Sequence, residues 1–285
     1  MAGVSRKSMQ QAVAAALAED VGSGDVTTLA TVPARAQARA VMRAREALVV
    51  CGLEFAEAAF RALSSRVRVE RKVEDGARAG EGDVLLHVEG GARALLTAER
   101  VALNFVQRLS GVATVTRAFV ERIAGTGARI LDTRKTTPGW RAFEKYAVAC
   151  GGGTNHRFGL HDMVLIKDNH LVALREARPN AIAAAVQRAR AAAPKLRVEV
   201  EADTLEQVAQ AVEAGADGVL LDNMPPALLR RAVRLVDGRA FTEASGGINL
   251  RTVTAVARTG VDFISVGALT HSARSCDIGL DFEFA

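Results

Sequence analysis

The second half of the chain carries short apolar runs that each finish on polar residues: Arg129-Ile130-Leu131-Asp132, Met163-Val164-Leu165-Ile166-Lys167, and Leu196-Arg197-Val198-Glu199-Val200-Glu201. The same pattern returns at Gly218-Val219-Leu220-Leu221-Asp222, Phe241-Thr242-Glu243-Ala244-Ser245 and Phe263-Ile264-Ser265-Val266-Gly267. Segments with helical spacing separate several of them, namely Ala181 to Ala192, Leu205 to Ala214, and Leu228 to Leu235. Strands alternating with helices predict βαβ units and a parallel sheet. Polar residues at every strand C-terminus favour a barrel over an open sheet, and make those strand ends the places to look for chemistry.

The first half has another organisation. Met9 to Leu17 has the apolar spacing of a helix and runs into a turn at Asp20-Val21-Gly22-Ser23-Gly24-Asp25. Ala36 to Ala44 and Leu48 to Cys51 have strand character, and Gly52 to Leu63 is helical in period. Arg66 to Val73 alternates valine with charge, as a half-buried strand does. Turn clusters at Glu74-Asp75-Gly76 and Ala79-Gly80-Glu81-Gly82 precede a strand from Val84 to Val88. Thr97 to Ile123 reads as helix, with a break expected near Ser110-Gly111. A small α+β unit ending near Gly91 therefore precedes the barrel pattern.

Composition narrows the function classes. Apolar residues make up 49% and charged residues 24%, a globular balance. No apolar run approaches the ~20 residues that span a bilayer, and Met1 to Gln10 lacks the apolar core of a secretory signal. Cys51, Cys150 and Cys276 are too few and too scattered for a disulfide framework or a zinc site, so a cytoplasmic protein with reduced thiols is expected. The net charge of +5 raises the question of nucleic acid, but the basic residues are dispersed among acids, and aromatics are only 4%. The same charge suits small acidic metabolites.

Three cationic clusters fall at predicted strand ends. Thr133-Arg134-Lys135-Thr136-Thr137-Pro138 follows the first barrel strand directly. Gly151-Gly152-Gly153 precedes Asn155-His156-Arg157, the glycines giving backbone freedom for a close approach or a sharp turn. Lys167 ends the next strand and leads into Asp168-Asn169-His170. A single such charge is usually solvated, but three clusters converging on one barrel mouth fit a carboxylate or phosphate ligand.

Acids and glycines complete the candidate site. Glu199 and Glu201 share one face of a strand, with Asp222 ending the neighbouring strand. Such carboxylates can bind ribose hydroxyls, hold Mg²⁺ through substrate oxygens, or stabilise a developing cation; the structural alternative is an ion pair with Arg134 or Lys167. Glu201, nearer the strand end, is preferred over Glu199. Ala244-Ser245-Gly246-Gly247-Ile248 and Ser265-Val266-Gly267-Ala268-Leu269 are expected to end the last two strands and open helices, exposing backbone N–H groups to a phosphate. His87 is expected to be structural, and no histidine pair has metal-ligand spacing.

The runs Ile130 to Gly139, Gly151 to Arg157 and Leu165 to His170 closely resemble the quinolinate phosphoribosyltransferase family. The likeness extends to Glu19-Asp20 through Thr28, Glu99-Arg100, Arg108-Leu109-Ser110-Gly111, Leu220-Leu221-Asp222-Asn223 and Ala244 to Ile248. The resemblance implies an α/β chain: an N-terminal helix and α/β sandwich domain over residues 1–112, an incomplete, TIM-like α/β barrel over 113–272, and a segment 273–285 returning to the first domain. It implies that Arg134, Lys135, His156, Arg157 and Lys167, with Thr133, hold quinolinate and part of the phosphoribosyl donor. Glu201 and Asp222, with Asn169, would lie by the ribose and its Mg²⁺. Ser245, Gly246, Gly247, Val266, Gly267 and Ala268 would cradle the 5′-phosphate, with His271 nearby. Arg100, from the pattern alone only a charge on an amphipathic helix, would enter the partner subunit's site, so at least a homodimer is implied. The implied reaction is transfer of the phosphoribosyl group to quinolinate with decarboxylation, in de novo NAD biosynthesis.

Two rival readings remain open. Molybdenum-transport-associated members of the same family share much of the pattern. A Schiff-base lyase also places a lysine at a barrel strand end, although Lys167 is followed by polar Asp168 and Asn169 rather than a desolvating wall.

Overall fold

The computed structural model describes residues 4–284. In chain order its elements are α1 (Arg6–Val21), α2 (Val26–Thr31), β1 (Gln37–Ala44), β2 (Leu48–Val49), α3 (Leu53–Leu63), β3 (Arg68–Arg71), β4 (Arg78–Ala79) and β5 (Val84–Gly91). Then come α4 (Ala92–Arg122), β6 (Arg129–Leu131), α5 (Arg141–Cys150), β7 (Val164–Ile166), α6 (Asp168–Val172), α7 (Ala181–Ala192) and β8 (Val198–Ala202). The chain ends through α8 (Leu205–Glu213), β9 (Gly218–Asp222), α9 (Pro226–Val236), β10 (Phe241–Ser245), α10 (Val253–Ala257), β11 (Phe263–Ser265), α11 (Ala268–His271) and β12 (Ile278–Phe284). Contacts group them into two units: residues 1–117, 138–152 and 272–285 in the first, 118–137 and 153–271 in the second.

In the first unit, Ser5 caps α1 by accepting the Ser8 N–H at 3.0 Å, and Gly22 at φ 52° closes it. The helix buries Met9, Val13 and Leu17, spaced four apart on one face. Strands β12, β1, β5 and β3 form an antiparallel sheet in that order. Ala38, Ala40, Met42 and Ala44 of β1 alternate inward, the two-residue period expected of a half-covered sheet. Leu53, Phe55 and Phe60 of α3 are fully buried, and the Phe55 ring lies 5.0 Å from both Phe105 and Phe143. Each such side chain contributes about 2–3 kcal/mol by leaving water.

The expected break near Ser110-Gly111 does not occur: α4 runs unbroken from Ala92 to Arg122. Ser110 turns its hydroxyl to the Cys51 backbone, receiving its N–H at 2.9 Å. Gly111 serves a close approach rather than a bend, because a Cβ there would lie 1.9 Å from the Arg274 carbonyl oxygen. The cysteines are less scattered than their spacing suggests. Cys51 and Cys150 come together beside Asp75, whose carboxylate accepts the Gly52 and Leu53 N–H groups and the Tyr146 hydroxyl.

The second unit is built on a six-stranded parallel sheet in the order β6-β11-β10-β9-β8-β7. Val198, Val200 and Ala202 of β8 are buried on one face, which puts Glu199 and Glu201 on the other. The register Glu199–Gly218–Phe241 and Glu201–Leu220–Glu243 carries that face across β9 to β10. Gly218 is required by the Phe241 ring, whose Cζ would stand 2.1 Å from any Cβ.

Beyond β6 the barrel wall continues as an irregular segment. Thr154 pairs in parallel with Leu131, donating its N–H to Ile130 O at 2.8 Å while Asp132 N–H returns to Thr154 O at 3.2 Å. The Arg157 guanidinium then reaches the Met163 carbonyl, just before β7, at 3.2 Å. Of the glycines preceding this segment, Gly151 serves packing within the first unit, where a Cβ would meet Ala113 O at 2.5 Å, and Gly152 turns the chain at φ 86°.

Candidate active site

The β6 end shapes the first cationic cluster. Thr133 Oγ1 accepts the Lys135 N–H at 3.0 Å, and the Thr270 hydroxyl donates to Lys135 O at 2.7 Å. Lys135 is exposed and Arg134 half-buried. Gly267 lies against both Lys135 and His271, since a Cβ there would stand 3.1 Å from Lys135 Cδ and from His271 Nε2. The loop after β6 and the Val266-Gly267 loop after β11, which leads into Ala268, therefore meet at Gly267.

Asp132, fully buried, holds the next cluster. Its Oδ1 accepts the His156 N–H at 2.8 Å and its Oδ2 the Asn155 side-chain amide at 2.7 Å. The His156 side chain turns inward, with Nε2 3.3 Å from Glu199 Oε2 and 3.3 Å from Glu243 Oε2. Its Nδ1 accepts the Arg157 N–H at 2.6 Å, so Nε2 carries the proton facing the two carboxylates. Burial disfavours a charged ring, yet hydrogen bonds to Glu199 and Glu243 outweigh it and raise His156 to about 9. The 2.6 Å bond from the Arg157 amide works against that rise, because a second proton must take Nδ1 and displace it. Burial and the adjacent Glu243 carboxylate push Glu199 up to about 7, against the pull of His156. A cavity of about 260 Å³ opens beside these groups, lined by His156, Arg157, Glu199, Glu243, Arg129 and Arg197 among others.

Arg157 is held below the usual guanidinium range by burial first and by the nearby Arg134 second. Two like charges in a partly buried place are unfavourable alone and become favourable around an anion. Arg134 Nε is buried and, among the described residues, has no hydrogen-bond partner, a donor that a bound anion can satisfy.

On the neighbouring strands, Lys167 Nζ lies 3.0 Å from Glu201 Oε2. The ion pair that stood as the structural alternative for the acids is thus present in part. Asn223, in the left-handed conformation at φ 52°, donates its amide to Asp222 Oδ2 at 2.7 Å and its backbone N–H to Ser245 O at 2.9 Å. Gly246 is required there, because a Cβ would lie 2.1 Å from Asn223 Oδ1. Gly246 and Gly247 have φ 93° and 62°. The two glycine loops continue differently. Gly267 leads straight into α11, whereas the helix after Ser245-Gly246-Gly247 starts only at Val253, after a turn at Asn249 to Thr252, contrary to the expectation that both loops open helices.

Thr133, Arg134, Lys135, His156, Arg157, Lys167, Glu201, Asp222, the 245–247 and 266–268 loops and His271 all belong to the second unit, and Arg100 stands exposed on α4 in the first. Asn169 is exposed on the first turn of α6, where Lys167 N–H is taken by His170 Nδ1 at 2.9 Å. Sequence reasoning missed Glu243 and Asn223. The signal for Glu243 was a charge in mid-strand on the face shared with Phe241 and Ser245.

Two family models cover the chain: quinolinate phosphoribosyl transferase, N-terminal domain, over residues 25–110, and its C-terminal domain over residues 112–281. The nicotinate-nucleotide pyrophosphorylase [carboxylating] of Mycobacterium leprae is 48% identical over 272 residues, 93% of this chain and 94% of that protein. The probable nicotinate-nucleotide pyrophosphorylase [carboxylating] of Bacillus subtilis is 43% identical, covering 92% of this chain and 89% of its own. The structure of the nicotinate-nucleotide pyrophosphorylase from Francisella tularensis superposes with a TM-score of 0.92 at 38% identity, covering 98% of each chain. The chain belongs to the quinolinate phosphoribosyltransferase family.

Proposed function

We infer that this chain transfers the phosphoribosyl group of 5-phosphoribosyl-1-pyrophosphate to quinolinate, giving nicotinate mononucleotide, pyrophosphate and CO₂ on the route to NAD. The observation that carries the assignment of roles is the meeting of two chemistries on the strand ends of one sheet. Lys135 and His271 pack on Gly267, Arg134 lies near Arg157, and Lys167 pairs with Glu201 on the strand next to the paired Asp222 and Ser245 ends.

In this reading the orphaned Arg134 donor, with Arg157 and Lys167, takes the two carboxylates of quinolinate, while His156, its ring nitrogens facing the Arg157 N–H on one side and Glu199 and Glu243 on the other, holds the Arg157 segment in place. Ser245, Gly246, Gly247 and Gly267 cradle the 5′-phosphate. Departure of pyrophosphate leaves positive charge on the ribose, which Glu201 and Asp222 stabilise while Lys135 offsets charge on the leaving group. The pyridine nitrogen attacks the ribose carbon and becomes cationic. Loss of the adjacent carboxylate as CO₂ then leaves an electron pair on the ring carbon that the cationic nitrogen stabilises and a proton quenches. The protein's part is to orient and desolvate that carboxylate.

The carboxylates of Glu201 and Asp222 are hard oxygen donors on adjoining strands, a donor set that fits Mg²⁺ held mainly through substrate oxygens. Bound there, Mg²⁺ would neutralise charge on the pyrophosphate. Arg100, exposed on α4, is assigned to the partner subunit's pocket in a homodimer.

The test is incubation with quinolinate, the phosphoribosyl donor and Mg²⁺, following nicotinate mononucleotide and CO₂ together. Equal amounts of both are expected, and nicotinate in place of quinolinate should give no mononucleotide. Turnover of nicotinate at the rate of quinolinate would overturn the dicarboxylate assignment.

A further inference from the structure

The segment carrying His156 and Arg157 is the least supported part of the barrel wall. It has no regular strand, and its pairing with β6 is the single Leu131–Thr154 bridge. Asp132 holds it from β6 by the Asn155 amide and the His156 N–H. The Arg157 guanidinium ties it to the Met163 carbonyl at 3.2 Å, and a further attachment crosses the interior. Glu199 on β8 and Glu243 on β10, 0% and 1% exposed, both reach His156 Nε2. They come from strands flanking β9, so the ring is bracketed from two sides. Because His156 Nδ1 accepts the Arg157 backbone N–H, the orientation of the ring also sets the start of the Arg157 residue.

These two carboxylates have no other evident task. Neither ends a strand, and among the described residues both Glu199 carboxylate oxygens and Glu243 Oε1 have no hydrogen-bond partner, Glu199 Oε2 standing 3.3 Å from His156 Nε2 as an ion-pair contact. Burying two carboxylates against each other with so few hydrogen-bond partners is costly. That arrangement is retained where it fixes something. We propose that Glu199 and Glu243 are positioning residues that bracket the His156 ring and, through it, set Arg157 for the acceptor carboxylates. The proposal rests on the quinolinate reading of the site and adds two residues that act through another side chain.

It makes a claim about reach rather than about charge. Gln at either position keeps an oxygen at the same distance from Nε2. Asp keeps the charge but withdraws the acceptor by one methylene, and Ala removes it. Since the phosphate loops and Lys135 are separate attachments, the defect falls on one substrate only.

The experiment is steady-state kinetics of wild type and the Ala, Asp and Gln variants at each position, with quinolinate and the phosphoribosyl donor varied in turn. E199A and E243A are expected to raise the quinolinate KM about ten- to hundredfold with little change in the donor KM. E199D and E243D should behave likewise, and E199Q and E243Q should recover most of the loss. The Asp variants carry the test wherever an Ala variant fails to fold by circular dichroism. Folded Ala or Asp variants with the wild-type quinolinate KM overturn the proposal, as does a rise shared equally by both substrates. A wild-type chain that makes no nicotinate mononucleotide from quinolinate overturns the functional reading instead.

Discussion

Lys167 Nζ and Glu201 Oε2 lie 3.0 Å apart, joining the strand end assigned to the acceptor's carboxylates to the strand end assigned to the ribose. The lysine side chain is 45% exposed and the glutamate 16%, so the pair is partly screened and worth roughly 1 kcal/mol or less to stability. Its interest is chemical. In the proposed reading Lys167 exchanges a protein carboxylate for a substrate carboxylate, which frees Glu201 to face the ribose as positive charge develops there.

E201Q tests that exchange. Gln leaves Lys167 without its counter-charge, so quinolinate binding should hold or tighten slightly. Turnover should fall about a hundred- to thousandfold, the scale of losing one electrostatic group that acts in the transition state. Separate measurement of kcat and quinolinate KM checks this; a loss confined to KM would remove Glu201 from the chemical step.

R134A and K135A should lower kcat by orders of magnitude while leaving the fold intact. Lys135 is exposed, and its backbone, held by Thr133 and Thr270, survives truncation of the side chain. Turnover of stopped-assay samples alongside circular dichroism melts separates the two effects. Near-normal turnover in either variant would dismiss the role given to it.

If Arg100 works in the partner's pocket, two inactive variants should rescue each other. R100A and K135A each disable both sites of a homodimer, but a mixed dimer concentrates both lesions in one site and leaves the other whole. Mixing the two proteins under subunit exchange should restore up to about a quarter of wild-type activity, by the statistics of random pairing in a two-fold dimer. No recovery despite verified exchange would place Arg100 in its own subunit's chemistry or outside it.

Gly111 gives a prediction whose sign is decided by magnitudes. In an unconstrained helix interior, Gly→Ala stabilises by about 1 kcal/mol. Here the Cβ would stand 1.9 Å from the backbone oxygen of Arg274, which has no side-chain torsion with which to retreat. G111A is therefore expected to destabilise by about 1–3 kcal/mol as the chain shifts to relieve overpacking. Chemical denaturation of the variant measures it, and a stabilised G111A would show that the 272–285 segment yields freely.

The same glycine marks where the sequence misleads. Ser110-Gly111 has breaker composition, yet both residues sit inside α4 because tertiary contacts, to Cys51 and Arg274, use a hydroxyl and a missing Cβ. Barrel strands were legible because each apolar run ends on a polar residue at the functional rim, and β6 to β11 fall on the expected runs. Glu243 was not legible for the converse reason. It sits in mid-strand between Thr242 and Ala244, in a run too polar to show that its odd positions face inward. In β12, Ile278 and Leu280 do alternate as a strand should, but only the pairing with β1, more than 200 residues earlier, gives that segment a place.

Asp217 offers a pH test away from the chemistry. It stands just before β9 and accepts the Val198 N–H at 2.6 Å and the Arg190 guanidinium at 2.8 Å, pinning the start of β8. Partial burial would raise this carboxyl, but the bonds from Arg190 and Val198 outweigh it and hold it below its ordinary 3.8. A folded pKa below the unfolded one means that the unfolded chain binds the proton more tightly. The stabilisation is thus complete above about pH 4 and is lost as pH falls through the lower folded value. With both side chains about a third exposed, the charge contributes about 0.5–1 kcal/mol after screening by solvent. D217N keeps an oxygen for Val198 and loses the charge. Its stability should trail wild type by that amount near neutral pH and converge with it at acid pH, once pH has fallen through the lowered folded value and the wild-type carboxyl is protonated too. Urea unfolding at both pH values reads the difference. A gap that stays constant across the range would assign the loss to amide geometry, and remove the Arg190–Asp217 charge pair from the forces that hold β8 in register.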